Sequence, residues 1–138
     1  MAYWLVKSEP DVFSWDDLVA TGAKGEPWTG VRNHTAKLNL MAMTLGDQVF
    51  FYHSQAGKEI VGVREVIREH IIDPTDATDR FRCVDLKAVR ALKRPFTLAE
   101  AKADPALAGM SLITSFRLSV QPVTEAEWAH IVAVAGFR

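Results

Sequence analysis

Between Phe81 and Leu92 the side chains alternate, with Val84, Leu86 and Ala88 on one side of an extended chain and Asp85 and Lys87 on the other. A period of two marks a half-buried strand and restricts the chain to folds built around a sheet. Four other segments fit that frame. Tyr3-Trp4-Leu5-Val6-Lys7 is rich in aromatic and branched residues and ends at Ser8-Glu9-Pro10, where proline removes a backbone donor. Gln48 to Ser54 reads as another such strand, entered from the Gly46-Asp47 turn. From Ile60 to Ile67 the alternation is irregular, and Gly62 within it marks a bulge or a close backbone approach. Arg117 to Pro122 reads as a short strand closed by its proline, at a sheet edge or barrel mouth.

Short helices separate the strands. Ser14 with Asp17, Thr97 with Glu100 and Thr124 with Glu127 each have the spacing of a capping box. The first helix would bury Trp15, Leu18 and Val19, and the last Trp128, Ile131, Val132 and Ala135 before Gly136 ends it. The helix after Thr97 ends near Asp104-Pro105, and Pro95 stops the strand before it. Asn33 is placed to cap a further helix through Leu38, Met41, Ala42 and Leu45. The fold class expected is α+β, a small twisted β-barrel of about five to six strands with short flanking helices.

Length limits the alternatives. A chain of 138 residues suits a single domain, residues 1–138, with a core that needs neither disulfide nor metal. Cys83 is the one cysteine, which excludes an intrachain disulfide and fits a reducing compartment. No apolar run is long enough to span a bilayer and the first residues do not form a signal peptide, so the expectation is an intracellular, cytoplasmic protein without membrane partners. Asp73 to Arg80 is a polar loop. The formal net charge of −1 argues against wrapping long duplex, but it leaves room for a pocket that holds one base by stacking and hydrogen bonds.

Recognition chemistry is densest in Trp28-Thr29-Gly30-Val31-Arg32-Asn33, which puts an indole, a guanidinium and a carboxamide in a turn leading into a helix. Trp28 lies outside the apolar stripes, beside backbone donors at a helix N-terminus. The plainer alternative makes Trp28 core filler, Arg32 half of a surface ion pair and Asn33 a cap alone. An enzymatic alternative, a small hydrolase, would pair His53 with Cys83. Against it, Cys83 sits inside the alternating strand, where a small thiol is ordinarily inert, and no local motif brings His53 to it. His34 and His53 lack a second ligand at a metal-binding spacing, and no phosphate-cradling glycine motif is present. A third alternative binds structured RNA through a basic surface gathered from Arg64, Lys87, Arg90, Lys93 and Arg94.

Taken in order, Tyr-Trp-Leu-Val-Lys-Ser-Glu-Pro, Trp-Thr-Gly-Val-Arg-Asn, Phe-Tyr-His-Ser and Arg-Leu-Ser-Val-Gln-Pro-Val resemble the EVE-domain family, from Met1 to about Val134. The resemblance implies a PUA-like barrel, kin to the YTH readers of methylated adenine, with a pocket for a modified base such as a methylated or hydroxymethylated cytosine. Lys7 and Ser8 match the first motif, Trp28, Val31, Arg32 and Asn33 the second, Tyr52, His53 and Ser54 the third, and Arg117, Ser119 and Val120 the last. Two departures stand out. His34-Thr35-Ala36-Lys37 replaces a run that often reads aromatic-Gln-Ala-Arg, and Phe81 stands where a tryptophan is frequent, which leaves a smaller aromatic wall.

The function implied is a non-catalytic module that takes a flipped or single-stranded modified base, with no cofactor and no metal. Its partner would be DNA or RNA carrying that base, its state a monomer, and a nuclease or modification-dependent restriction component on another chain is compatible with it. Trp28 would stack on the base opposite Tyr52 or Phe81, while Ser8, Asn33, His53, Ser54 and Ser119 read its edge. Val31 or Val120 would meet a methyl group. Arg32 and Arg117 would hold the neighbouring phosphate or sugar.

Overall fold

A computed structural model describes residues 2–8, 13–28, 34–54, 57–72, 82–115 and 117–137 of the chain. The strands are β1 (Tyr3–Ser8), β2 (Glu26–Pro27), β3 (Gln48–His53), β4 (Glu59–Ile72), β5 (Arg82–Thr97) and β6 (Val120–Val123). The helices are α1 (Trp15–Ala20), α2 (His34–Ala42), α3 (Leu98–Ala103), α4 (Ser111–Thr114) and α5 (Glu125–Ala135), with 3-10 turns at Gly22–Lys24 and Pro105–Leu107. All six strands join one mixed sheet in the order β2-β5-β4-β3-β1-β6. β1 runs parallel to β3, and every other pairing is antiparallel.

The sheet curls into a half-barrel because its two long strands are broken by register shifts, one between β3 and β4 at Phe51/Tyr52 and four between β4 and β5. Each shift bends a strand and tightens its twist. The irregular alternation of Ile60 to Ile67 is the sequence trace of this: Ile60 and Val63 face one core, whereas Arg64 and Val66 face away from it. Pro95 does not end β5. Gly62 pairs with Ala91 and Ile60 with Phe96, so residues 92–95 have no partner on β4 and the donor missing from Pro95 is not needed there.

Each face of the sheet has its own core. Against one pack α3, α4 and α5, burying Leu5, Phe50, Tyr52, Ile60 and Val63 beneath Leu107, Leu112 and Ile131, while Trp128 stacks on Phe50 at 3.9 Å and on Tyr3 at 4.6 Å. Against the other packs α2, whose Ala36 and Leu40 cover Val6, Val49, Val84 and Leu86. α2 therefore uses a different stripe from the one expected, and Leu38 and Leu45 are exposed, as is Val19 of α1. All three capping boxes form, at Ser14, Thr97 and Thr124. Ser111 to Thr114 is helical, and β6 begins only at Val120, with Pro122 exposed inside this edge strand. Asn33 and the loop Asp73 to Arg80 lie outside the described residues.

Asp47 ties the start of β1 to the turn that leads into β3. Its buried carboxylate accepts from the Ala2 amide (3.0 Å), Trp4 Nε1 (3.0 Å), the Thr44 amide (2.9 Å) and Thr44 Oγ1 (3.0 Å). Burial pushes its pKa up, but these four donors outweigh burial and hold it below the usual 3.8. A carboxyl with a depressed folded pKa stabilises the fold above its unfolded pKa and loses that contribution as pH falls. Asp47→Ala should cost about 3 kcal/mol in urea titrations, since it strands a buried indole N–H. Asp47→Asn should flatten the loss of stability below about pH 4.

Candidate functional site

Parallel pairing of β1 with β3 brings two sequence motifs to one end of the sheet. Lys7 lies beside Tyr52 and Ser8 beside His53. The Ser54 amide donates to the Ser8 carbonyl and the Lys7 amide to the Ser119 carbonyl, each at 2.9 Å. Seven of the expected residues, Lys7, Ser8, Tyr52, His53, Ser54, Ser119 and Val120, thus meet at the carboxyl ends of β1 and β3 and the start of β6. Asn39 Nδ2 holds the Val120 carbonyl at 2.8 Å, and Gln121 Nε2 holds those of Ser115 and Leu118 at 3.1 and 2.9 Å, shaping the turn that carries Arg117. Val31, Arg32, Asn33 and Phe81 lie outside the described residues.

Alternation sends these side chains to opposite faces. On the side of α3–α5, Tyr52 is fully buried and its hydroxyl has no hydrogen-bond partner among the described residues, so desolvation pushes its pKa up to about 12. Lys7 Nζ lies 5.4 Å from the Tyr52 ring centroid, and burial lowers its pKa to about 8. On the α2 side, the Ser8 hydroxyl donates to the Phe13 carbonyl. His53 Nε2 accepts the Trp15 amide at 3.1 Å, which fixes the neutral imidazole with its proton on Nδ1. Desolvation depresses the His53 pKa, aided by the Arg64 charge and opposed by Glu59 and Asp16.

Beneath Trp28 lies Arg64, which the structured-RNA alternative would put on a basic surface. Arg64 is fully buried, its Nη2 donating to the carbonyls of Val6 (2.6 Å) and Phe50 (2.8 Å). Its guanidinium carbon is 4.5 Å from the Trp28 ring centroid and 4.3 Å from that of Phe51. Phe13 and Phe51 meet Trp28 edge-on at 5.9 and 6.0 Å, and Trp15 meets Phe51 edge-on at 5.7 Å. Trp28 is half-buried against the α2-side core, and its amide donates to the Val84 carbonyl at 2.8 Å. It is wall and core at once, so its removal touches stability as well as any ligand.

Of the five residues of the structured-RNA alternative, Arg90, Lys93 and Arg94 are exposed on β5 and Arg64 is withdrawn from the surface. Lys87 pairs with Glu65 at 3.7 Å, Arg94 with Glu100 at 2.7 Å, and the Arg90 guanidinium lies 4.5 Å from the Phe137 ring centroid. His53 cannot serve Cys83. His53 pairs with Glu59 at one end of β4, and Cys83 pairs with Ile71 near the other, about 40 Å of strand away at ~3.3 Å per residue. Arg117 is exposed and has no ionic partner among the described residues. The described residues contain no group of three or more His, Cys, Asp or Glu able to hold a metal, and no helix long and apolar enough to cross a membrane.

The EVE-domain family model matches residues 2–134. This chain belongs to the EVE-domain family. The domain is 36% identical to mouse thymocyte nuclear protein 1 over 96% of this chain and 73% of that protein. A protein of Rhodopseudomonas palustris solved by NMR is 60% identical, with a TM-score of 0.94 over 99% of this chain and 94% of its own. Human THYN1, solved in complex with 5-methylcytosine-containing DNA, is 33% identical, with a TM-score of 0.90 over 99% of this chain and 98% of its own. The curled six-stranded sheet with short helices is a PUA-like α+β fold.

Arg64, Phe51, Trp15 and Phe13 complete this EVE domain's aromatic wall, and none was among the expected site residues. Gly62 is the signal that could have found them: a Cβ there would sit 2.4 Å from the Trp15 ring, so the bare backbone of β4 is what lets α1 lie on the sheet. Gly62→Ala should therefore lift Trp15 off β4, costing about 1–3 kcal/mol. It should also shift the Trp15 indole N–H resonance far more than that of Trp128, which packs on the other face.

Proposed function

We propose that this EVE domain, acting as one monomeric unit, is a non-catalytic reader of a modified base, a 5-modified cytosine taken flipped or single-stranded beside Trp28. The observation that carries this reading is the meeting of Lys7, Ser8, His53, Ser54 and Ser119 at the ends of β1 and β3, beside an aromatic wall. It occurs in a chain that aligns over 99% of its length with human THYN1, itself solved with 5-methylcytosine-containing DNA. A cytosine edge needs acceptors for its amino group and donors for its ring nitrogen and carbonyl. The hydroxyls and carbonyls at the strand ends supply acceptors, and His53 Nδ1–H and Lys7 supply donors. Arg117 stands exposed at the rim to take a phosphate, a contact that positions a strand without identifying it. The distance between His53 and Cys83 supports binding without turnover.

Titrations of single strands and duplexes carrying 5-methylcytosine, 5-hydroxymethylcytosine or cytosine, together with a structured RNA, test the reading. Preference for a modified strand, reduced at least tenfold by His53→Ala or Ser8→Ala, is the expected result. Equal affinity for modified and unmodified strands, or tightest binding to the structured RNA, would overturn it.

Lys7 adds a pH signature. Its ammonium is half lost at about pH 8 and falls away as pH rises past that value, so binding that uses its charge should weaken by up to about tenfold per pH unit above it. Arg at this position keeps its charge, and Lys7→Arg should bind with a flat profile between about pH 7 and 9.5. An identical decline in both proteins would remove Lys7 from the site.

A further inference from the structure

The Arg64 guanidinium is a full positive charge built into the interior of the site. Its Nε and Nη1 have no hydrogen-bond partner and no carboxylate faces it among the described residues. Carbonyl dipoles of Val6 and Phe50 and the faces of Trp28 and Phe51 are what hold it. Such a cation occupies one face of the Trp28 indole. Any base that stacks on Trp28 must use the other face, and it then lies in line with the guanidinium, separated from it by one ring.

We infer that Arg64 is a specificity-determining residue that makes the Trp28 wall select uncharged bases and reject cationic ones such as N3-methylated cytosine. This inference rests on the stacking of a base on Trp28 proposed above and goes beyond it by assigning the charge class of the ligand. An isolated tryptophan does the opposite, because its π face attracts cations and favours a positively charged base. With Arg64 behind it, that attraction is already spent. The guanidinium carbon lies 4.5 Å from the ring centroid, and a base about 3.5 Å beyond it lies about 8 Å from the charge. Two unit charges at that distance and an effective dielectric of about 20 repel enough to lower affinity about 30-fold. Burial removes the screening that would erase this at a surface.

The test uses two oligonucleotides that differ in one base, 3-methylcytosine, which is cationic, and 3-methyluracil, which carries the same N3 methyl without the charge. The wild-type protein should prefer the uncharged base by about 30-fold. Arg64→Met, which keeps length and removes charge, should bring the ratio to one or invert it, whereas Arg64→Lys, which keeps the charge, should retain a preference for the uncharged base. A wild-type ratio below threefold overturns the inference without any variant, and so does an unchanged ratio in an Arg64→Met protein whose near-UV spectrum is native. Loss of preference for 5-methylcytosine over cytosine by the wild type is a separate result that sinks the underlying reading instead.

Discussion

The parallel pairing of β1 with β3 is the constraint from which the rest of this molecule follows. Antiparallel neighbours can be joined by a tight turn, as β3 and β4 nearly are, but parallel neighbours need a crossover that leaves the sheet and returns. Here the crossover between Ser8 and Gln48 carries α1, the edge strand β2 and α2, and its Trp15, Trp28, Ala36 and Leu40 pack on the face of the sheet away from α3, α4 and α5. Phe13, Trp15 and Trp28 reach the sheet because the chain must pass there to bring β3 alongside β1. Asp47 closes the excursion by binding Ala2 and Trp4 at the start of β1. The candidate site lies at the carboxyl ends of the two parallel strands, where Ser54 and Ser119 bond to the last residues of β1.

Burying an arginine without a carboxylate is costly, and the fold offsets that cost in an unusual place. Arg64 stands on β4, where an aliphatic residue would satisfy the α2-side core that Val66 joins two positions on. Desolvation pulls its pKa well down from 12.5, the direction expected for a cation kept from water. Two main-chain carbonyls and two aromatic faces compensate it in part, and the partly satisfied guanidinium pins Trp28, β1 and β3 at once. A hydrophobic residue in its place would remove the desolvation cost but also the cation that packs on the indole face, leaving Phe13 and Phe51 to hold Trp28. Groups of this kind persist where geometry and charge at a binding site outweigh maximal stability.

What could be read from the sequence was local, and what escaped it was set by contacts between distant segments. Capping boxes at Ser14, Thr97 and Thr124 are recognisable because the partners lie three residues apart, and all three form. The α5 stripe was legible for the same reason. Along α2 and the turn after it, by contrast, Leu38, Met41 and Leu45 offer a helical spacing as good as that of Ala36, Leu40 and Met43, and only the position of the sheet decides that the second set is buried. Pro95 looked like a terminator because its missing donor was charged against a ladder that the β4 bulge had already removed. The burial of Arg64 is not legible in the sequence, because strand parity across a register shift cannot be followed by counting. The family motifs fall at the ends of β1 and β3, but they say nothing of the cation beneath them.

The two faces of the sheet divide the candidate site into parts with different physical character. Lys7 and Tyr52 project toward the core of α3, α4 and α5, where desolvation lowers the lysine pKa and raises the phenol's. Both shifts favour the neutral form, so this side holds an ammonium at neutral pH that is given up as pH rises past about 8. Ser8, His53 and Trp28 lie on the opposite side, around a guanidinium that stays charged and an imidazole that the Trp15 amide keeps neutral. A base edge between the ends of β1 and β3 would thus meet a titratable donor from one side and a donor of fixed tautomer from the other. On the proposed reading, the aromatic wall would sort ligands by shape and charge, and the strand ends by hydrogen-bond pattern. Neither could replace the other, because stacking on an indole does not tell one uncharged base from another, whereas hydrogen bonds to the base edge do.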